Sequence, residues 1–510
     1  MNGNSDTVRR GIFLAAFAAI TATSFCFVLR AMVIDEWGIA FALSETQKGE
    51  LLGAGLWPFS ISIVLLSLLI DRVGFKTVFA LAAAGHIVGL VTLLLATGYW
   101  GLYIGTFIMA LANGAVEAAA NPLIATVFRH DKPRWLNRLH AGWPSGLVLG
   151  GTLAILLGHH VDWHVKIALM AAPVLLYAAL LFNRGFPSSE RVASGISYRE
   201  MLAEAGYGSA LVVITLVMLE IGRIAALPGV MIACAIGVLT ALFGFFARSA
   251  GRPLFIVLVL LMIPLATTEL STDSWIASLM EPELSAIGLD PGWVLVYTSL
   301  IVFVIRIFAG SIIRLFGPIA VLGGASVLAA IGLYAMAGST GAALLLAATL
   351  YGVGKSFFWG TSLAVTSEQF PRGGAVTLNM VAGSGMLAAG IVGSVLLGAF
   401  QDTSTTRALH SYDAAHGTAL TRHYVDQRRA SIFGSYQALD PARLAAAPPA
   451  ERQVVEALAS GSKKAALANV AILPAIMAFC YGLLLLLFRR RGGYRPVLLE
   501  PAAMPASMHP

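Results

Sequence analysis

Charged residues are scarce in this sequence: 12% of its 510 residues are Asp, Glu, Lys or Arg, whereas 58% are hydrophobic. An ordinary soluble domain has about a quarter charged residues. The shortage excludes such a domain, because too few charges remain to cover a surface in contact with water. How many times the chain crosses a membrane is therefore the first question.

Cysteines and catalytic motifs are scarce as well. Cys26, Cys234 and Cys480 lie in apolar segments without the spacing of a metal or redox site, which indicates core packing. The stretch 352–356 reads Gly-Val-Gly-Lys-Ser, but it lacks the four-residue spacer of a phosphate-binding loop. A histidine-rich stretch at 159–164 is only a weak metal signal. We therefore expect no enzyme, no cofactor and no metal.

Long apolar runs, by contrast, fill the chain. Fourteen of them have about the twenty residues that cross a bilayer. They are residues 11–33, 47–70, 75–97, 100–127, 136–158, 163–183, 208–226, 228–246, 253–280, 291–313, 318–338, 341–361, 373–400 and 466–488. The first run is too long for the apolar core of a secretory signal, so we interpret it as a retained span.

The spans fall into groups of six, two and six, which predicts four regions. They are a six-helix bundle at 1–183, a linker with an inserted transmembrane hairpin at 184–252, a second six-helix bundle at 253–488 and a tail at 489–510. Residues 401–465 are too polar to span and predict an external lobe inside the second bundle. The proline-rich tail after Arg491 is expected to be disordered.

The basic residues favour one side of the predicted membrane. With the amino terminus inside, nearly all loop Lys and Arg fall on the inner side, and the short outer loops are mainly acidic. This asymmetry obeys the positive-inside rule and predicts an inner-membrane protein with both termini in the cytoplasm. The formal net charge of +7 thus reflects topology and the bilayer, and we expect no nucleic-acid partner.

An internal repeat relates the two six-span groups. The first copy reads Ser67-x-x-x-Asp71-Arg72-Val-Gly74-Phe-Lys76, and the second reads Gly310-x-x-x-Arg314-Leu-Phe-Gly317. Both follow the second span of their group, and each supplies a glycine for a tight turn. The pattern resembles the signature loop of the major facilitator superfamily. The resemblance implies an all-α fold of two six-helix bundles, here with an extra central helix pair, and a gating role for these loop residues.

A second set of motifs resembles the fucose/galactose:proton symporter branch of that superfamily. It comprises Glu117-Ala-Ala-Ala-Asn121-Pro122, then Asn137-x-x-His140-x-x-Trp143, and finally Thr268-Glu269-Leu-Ser-Thr-Asp273-Ser-Trp275. The chain departs from the branch in having His140 where Gln is common and Trp143 where Asn is common. It also has Arg30 near the place of an acidic residue in the first span.

Glu117 is an ionisable residue inside the apolar run 100–127. A charge in hydrocarbon costs at least about 2.5 kcal/mol, so a span keeps one beside a partner or a water-filled cavity. Pro122 frees a backbone carbonyl one turn earlier, which protein or a cavity must satisfy. We interpret Glu117 as the proton-carrying group of a transport route, the alternative being a structural carboxylate inside the bundle.

Beyond the first turn of each span, eight charged residues lie inside the spans, four of each sign. They are Arg30, Glu117, Glu220, Arg223, Glu269, Asp273, Arg306 and Lys355. Mutual pairing is the simplest interpretation. The three-residue spacing of Glu220 and Arg223 suits a local pair. Lys355 is expected to pair with Glu269 or Asp273.

The sequence thus predicts a secondary transporter that moves a monosaccharide or related polyhydroxylated solute with a proton, as a monomer. Proton coupling is assigned to Glu117, Glu269 and Asp273. Substrate binding is assigned to Asn121, His140, Trp143, Glu269, Trp275, Lys355 and Trp359, although the tryptophans also suit packing. Gating is assigned to Asp71, Arg72, Gly74, Lys76, Arg306, Gly310, Arg314 and Gly317. Alternatives are proton-driven efflux of amphipathic compounds and a non-transporting membrane sensor.

Overall fold

The computed structural model describes residues 2–43, 45–182, 184–225, 227–273, 288, 290, 292–425, 429–431, 434–437 and 439–499. Trp275 and the acidic residues Glu281 and Glu283 of an outer loop lie outside the described residues.

The first half of the chain is helical. Its helices are Asn2–Met32, Ile34–Ala40, Glu45–Gly53, Trp57–Val73, Phe75–Leu94, Tyr99–Val127, Lys132–His140, Gly142–Leu157, Trp163–Ala168, Ala171–Phe182 and the short Glu190–Ala193, with a 3-10 turn at Gly158–His160. Two longer helices follow at Tyr198–Ile224 and Gly229–Ala247.

The second half repeats the plan with two irregular stretches. Its helices are Pro253–Ala266, Trp293–Phe316, Pro318–Gly338, Gly341–Lys355, Phe358–Gln369, Gly374–Leu387, Ser394–His416, Leu420–Tyr424, Pro441–Ala445, Pro449–Val470 and Ile472–Arg490. A 3-10 turn covers Pro371–Gly373, and π-helices cover Thr267–Ser271 and Ala388–Gly393. Strands Arg429–Ser431 and Gly434–Tyr436 form one antiparallel hairpin.

Within the described residues, 14 helical segments are long and apolar enough to cross a membrane. Their order matches the predicted groups of six, two and six, so the all-α polytopic fold with about fourteen spans is confirmed. The repeated loop also has its predicted geometry, since Gly74 (φ 82°) and Gly317 (φ 81°) each end one helix and begin the next. Residues with a β-carbon rarely adopt such a positive φ, which explains glycine at both turns.

The central helix pair lies against the second half. Tyr198–Ile224 begins with a capping box of Ser197 and Glu200 and packs on Pro253–Ala266 and Gly374–Leu387. Its partner Gly229–Ala247 packs mainly on Tyr198–Ile224, and only 6% of its apolar window is buried. Glu220 and Arg223 pair on the first of these helices at 2.6 Å, as their spacing predicts.

The polar region 401–465 contains a small core of its own, formed by Leu409, Leu420, Tyr424, Val425, Ala447 and Val455. Helix Ser394–His416 runs through the predicted boundary at 401, so span and lobe are continuous. Asp413 fixes the turn after this helix. Partial burial raises the pKa of its carboxyl group, but hydrogen bonds from Thr418, Thr421 and Leu420 outweigh this effect and lower the pKa to about 2.

The start of the carboxyl-terminal tail is ordered against the protein, in contrast to the expected disorder. The Tyr494 hydroxyl donates to Oε2 of Glu368 at 2.7 Å, and the amide of Val497 donates to the Glu368 carbonyl at 2.8 Å. Both contacts lie at the end of helix Phe358–Gln369. Residues 494–497 donate hydrogen bonds to acceptors at the end of that helix. The composition of the tail alone did not predict these contacts.

Candidate functional site

Glu117 lies inside helix Tyr99–Val127 with 2% of its surface exposed. Small residues surround it because neighbouring helices pass close by: a β-carbon at Gly114 would lie 2.2 Å from the Phe59 carbonyl oxygen. One carboxylate oxygen of Glu117 accepts a long hydrogen bond from Nδ2 of Asn121 at 3.4 Å. Glu117 forms no ion pair with any residue that the structure describes.

A polar line continues from Glu117 to the next helix. Oδ1 of Asn121 lies 2.9 Å from Nε2 of His140, and both side chains are buried. Their hydrogen bond joins helix Tyr99–Val127 to helix Lys132–His140. The motif residues Glu117, Asn121 and His140 are therefore brought together, although they come from two segments of the chain.

The backbone carbonyl that the proline of this motif leaves free has a partner in the other half. Pro122 has no backbone N–H, so the carbonyl of Ala118 loses its partner within the helix. Nδ2 of Asn379 donates to that carbonyl at 3.0 Å. Sequence reasoning anticipated the free carbonyl but missed Asn379.

A signal for Asn379 was present in the sequence. The pair Leu378-Asn379 lies in the first two turns of helix Gly374–Leu387. The same Leu-Asn pair, Leu136-Asn137, lies in helix Lys132–His140 of the first half. Nδ2 of Asn137 donates to Oγ1 of Thr361 in the opposite half at 3.2 Å. The two asparagines thus make corresponding contacts across the same interface.

Arg306 connects three parts of the site. Its guanidinium donates to the carboxylate of Glu269, to the Ser356 carbonyl at 3.0 Å and to the His140 carbonyl at 3.0 Å. Glu269 and Ser356 belong to the second half and His140 to the first, so this buried side chain ties the halves together. The sequence assigned Arg306 to the inner gate, and the structure brings it instead to Glu269. A gating role for it stays a prediction.

The acids of the ninth span separate into two ion pairs. Glu269 binds Arg306, whereas Asp273 binds Lys355, whose ammonium lies 5.0 Å from the centre of the Tyr351 ring. Glu269 lies in the π-helix Thr267–Ser271, which winds more widely than an α-helix. Of the two acids offered for Lys355, the structure selects Asp273.

A cavity of about 20 Å³ lies where the halves meet. Glu117, His140 and Trp143 line it from the first half, and Glu269, Arg306 and Trp359 line it from the second. Oε2 of Glu269 and Nε1 of Trp359 are buried here without a hydrogen-bond partner. The volume holds about one water molecule, far below the roughly 300 Å³ of a typical ligand pocket. The site is therefore closed around its polar groups in this conformation.

Arg30 lies apart from this cavity. It lines a different one with Trp37 and Thr106, and it forms no ion pair within the described part of the chain. The cation that shares the cavity with Glu117 is Arg306 rather than Arg30.

The predicted gating residues meet the linker and the opposite half. Asp71 accepts hydrogen bonds from Arg191 and Ser189, both at 2.7 Å, and Arg72 lies 5.2 Å from the ring centre of Tyr198. These contacts place the first copy of the loop against the linker, whose part sequence reasoning missed. Lys76 is exposed.

The second copy of the loop contacts the first half directly. Arg314 lies 3.6 Å from the carboxylate of Asp131, and a β-carbon at Gly310 would lie 2.7 Å from the side chain of Arg134. Lys132 closes the same side by donating to Glu190 at 2.8 Å and to the Ser367 carbonyl at 3.1 Å. The predicted inner side of the site is therefore sealed.

Comparison with known proteins agrees with this architecture. The family model of the Major Facilitator Superfamily matches residues 12–280. No curated protein matches the sequence as a whole.

Solved structures of transporters share the fold at low sequence identity. The proton:xylose symporter XylE bound to 6-bromo-6-deoxy-D-glucose is 16% identical, with a TM-score of 0.58 over 81% of this chain and 91% of that chain. A double tryptophan mutant of XylE is 14% identical, with a TM-score of 0.60 over 93% and 96%. The fucose:proton symporter FucP of E. coli is 16% identical, with a TM-score of 0.52 over 91% and 99%.

Proposed function

Because the chain belongs to the Major Facilitator Superfamily, a family of transporters and not of enzymes, we propose that it carries a monosaccharide or related polyhydroxylated solute together with a proton. The solute binds between the two halves, and alternating access moves it across the membrane. The fold shared with XylE and FucP, both named as sugar:proton symporters, supports this proposal.

The observation that carries the proposal is the position of Glu117. It is a buried carboxyl group without an ion-pair partner among the described residues, and it faces the cavity between the halves. A carboxyl group in such surroundings is stable as the neutral acid and expensive as the anion. Glu117 can therefore lose its proton when water reaches the cavity and keep it when water is excluded. A proton-coupled carrier requires this dependence.

The groups around the cavity suit a polyhydroxylated solute. Oε2 of Glu269 can accept from a hydroxyl group and Nε1 of Trp359 can donate to one, and both atoms lack a protein partner. Trp143 offers an apolar ring surface on the opposite wall. Asn121 and His140 already bond to each other and can exchange that bond for one to the solute.

The transport cycle follows from these contacts. With the cavity open to the outside, Glu117 takes a proton, becomes neutral and favours solute binding. Closure then forms a state like the present one, in which Arg306 joins the halves through the His140 carbonyl. Opening of the inner side breaks the contacts of Lys132 and Arg314, admits water to Glu117 and releases the proton and the solute.

The orientation and the assembly belong to the same proposal. Both termini lie in the cytoplasm, the membrane is the inner membrane and one chain suffices for transport. The bundles 1–183 and 253–488 form the transport core, and the hairpin of 184–252 lies outside it. If so, a cysteine introduced at Pro228 reacts with an impermeant reagent added outside, and labelling only from the cytoplasmic side would contradict this topology.

The proposal is tested by uptake of a radiolabelled panel of sugars and sugar derivatives into proteoliposomes. We expect at least one solute of the panel to accumulate when the outside is acidic, and accumulation to stop when the pH gradient is collapsed. Equal accumulation of the solute with and without the pH gradient would contradict proton coupling. Export of amphipathic dyes with no uptake of any polyhydroxylated solute would favour the efflux alternative.

A further inference from the structure

Among the eight charged residues that lie beyond the first turn of a span, one cation has no carboxylate partner within the described part of the chain. Six of the eight charged residues form the pairs Glu220–Arg223, Glu269–Arg306 and Asp273–Lys355. Within the described part of the chain, Glu117 and Arg30 form no ion pair. Glu117 can become neutral by taking a proton, whereas a guanidinium keeps its charge in proteins. Arg30 therefore remains a buried charge that needs an anion.

The structure holds the guanidinium of Arg30 in a defined place. Arg30 is 5% exposed near the end of helix Asn2–Met32, and its Nε donates to the Cys26 carbonyl at 3.2 Å. Its Nη1 lies against Gly55, where a β-carbon would approach within 3.1 Å. Glycine at position 55 leaves room for the guanidinium in this packed region.

Two further donors face the same small space. Nε1 of Trp37 and Oγ1 of Thr106 are buried and have no hydrogen-bond partner among the described residues. Both residues line a cavity of about 10 Å³ together with Arg30. The other described lining residues, such as Phe27 and Leu51, are apolar, so no carboxylate is among the described lining side chains. A guanidinium, an indole N–H and a hydroxyl group converging without an acid are suited to an anion.

This cavity adjoins the central one through a pair of aromatic rings. Phe27 lines the Arg30 cavity and lies 5.9 Å, centre to centre, from Trp143, which lines the cavity of Glu117. Binding of one solute across both cavities requires these two side chains to rotate and join the spaces. A solute with its hydroxyl groups at the central site could then extend one group to Arg30.

We propose that Arg30, Trp37 and Thr106 bind the carboxylate of the transported solute, which is therefore a sugar acid rather than a neutral sugar. This inference rests on the proposed function and narrows its substrate class. The planar guanidinium matches a carboxylate with paired hydrogen bonds. Transport of one such anion with the one proton on Glu117 moves no net charge, whereas a neutral sugar with one proton moves one positive charge.

The test compares matched solutes on the purified full-length protein. Calorimetric titration uses uronic and aldonic acids, the neutral sugars with the same hydroxyl pattern, and acetate and chloride as free anions. We expect a sugar acid to bind about 10–100-fold tighter than its neutral counterpart, as charge-assisted hydrogen bonds allow. Arg30→Gln should remove that preference and leave the affinity for the neutral sugar within about twofold.

Two conservative variants keep the test valid if Arg30→Gln fails to fold. Trp37→Phe removes the N–H and keeps a ring, and Thr106→Val removes the hydroxyl group and keeps the shape. Each should weaken sugar-acid binding by about three- to tenfold. Arg223→Gln is the matched control, because Arg223 lies in the central hairpin and already pairs with Glu220. It should leave the preference for the acid unchanged.

The outcomes separate this inference from the proposed function. Equal or tighter binding of neutral sugars would overturn the anion site and leave sugar transport standing. Acetate or chloride binding as tightly as any sugar acid, with the same loss in Arg30→Gln, would assign the site to a free anion and overturn the substrate class. Failure of every sugar and sugar acid to bind would overturn both. Uptake of the acid should also generate no transport current.

Discussion

The two halves of the transporter share one helical plan but treat their buried charges differently. In the second half, Glu269 pairs with Arg306 and Asp273 with Lys355. In the first half, Glu117 accepts a 3.4 Å hydrogen bond from Asn121 and forms no ion pair with any described residue. Paired charges are expensive to separate or neutralise, whereas an isolated carboxyl group changes its charge by binding one proton. This difference is the reason we propose a proton-carrying role for Glu117 and a structural role for the two pairs of the second half.

The same comparison reveals a symmetric feature at the interface. Asn137 bonds to Thr361 in the second half, and Asn379 bonds to the Ala118 carbonyl in the first. The asymmetry is therefore confined to the ionisable groups, while the neutral contacts across the interface correspond. Five single substitutions, two of them also combined with a second change, probe this contrast, from the largest expected effect to the smallest.

Arg306→Gln should have the largest effect. It leaves Glu269 as an uncompensated buried charge and removes the hydrogen bonds to the Ser356 and His140 carbonyls. Loss of one member of a buried pair costs about 3–5 kcal/mol. We expect a strong decrease in thermal stability and no transport, measured by unfolding in detergent and by uptake. The double variant Arg306→Gln/Glu269→Gln should regain stability, and failure to do so would show that the pair is not the main contribution.

Lys355→Met should stop transport. Its loss of stability should be smaller than that of Arg306→Gln, because Asp273 is partly exposed at 18% and water can solvate it. Adding Asp273→Asn should restore part of the transport rate. Glu269→Gln should not, since Glu269 pairs with Arg306. Rescue by Glu269→Gln and not by Asp273→Asn would reverse this assignment. Uptake rates at equal protein amounts provide the measurement.

Asn379→Leu should cost about 1–3 kcal/mol, because it leaves the carbonyl of Ala118 without a partner beside Pro122. Asn137→Leu is the corresponding change in the first half and should cost less, since its contact to Thr361 is between side chains. Both should lower the uptake rate by weakening the closed state. Equal stability of wild type and Asn379→Leu in detergent would contradict the role given to this contact.

Arg223→Gln should have the smallest effect. Its side chain is 60% exposed on the central hairpin, whereas that of its partner Glu220 is 10% exposed. Water can solvate the guanidinium, so we expect this pair to contribute about 1 kcal/mol, the upper end of the range for surface pairs. We expect wild-type uptake and nearly unchanged thermal stability. Loss of transport in this variant would place the hairpin within the transport core and contradict its position in the account.

Much of the fold follows from the sequence because hydrocarbon imposes simple requirements. Spans need about twenty apolar residues and short turns need glycine, so 14 segments and the turns at Gly74 and Gly317 were predictable. The pair Glu220–Arg223 was predictable for a similar reason, since both residues lie on one helix three positions apart.

The partners of the remaining charged residues were harder to predict from the sequence. Arg306 reaches Glu269 and His140 from a distant helix, and sequence spacing carries no information about which helices pack together. The π-helix at Thr267–Ser271, which contains Glu269, was not predictable from any residue pattern. Residues Ser189–Arg191 of the linker likewise bind Lys132 and Asp71 through contacts that only tertiary structure defines.

The central claim is that Glu117 carries the proton, and proton movement tests it most directly. Unbuffered proteoliposomes containing a pH-sensitive dye report protons that enter with the transported solute. Glu117→Gln imitates the protonated side chain and keeps its hydrogen-bonding shape. We expect wild type to acidify the interior on addition of solute, and Glu117→Gln to exchange labelled for unlabelled solute without any proton movement. Acidification by Glu117→Gln at the wild-type rate would contradict the account and leave Glu117 a structural carboxylate.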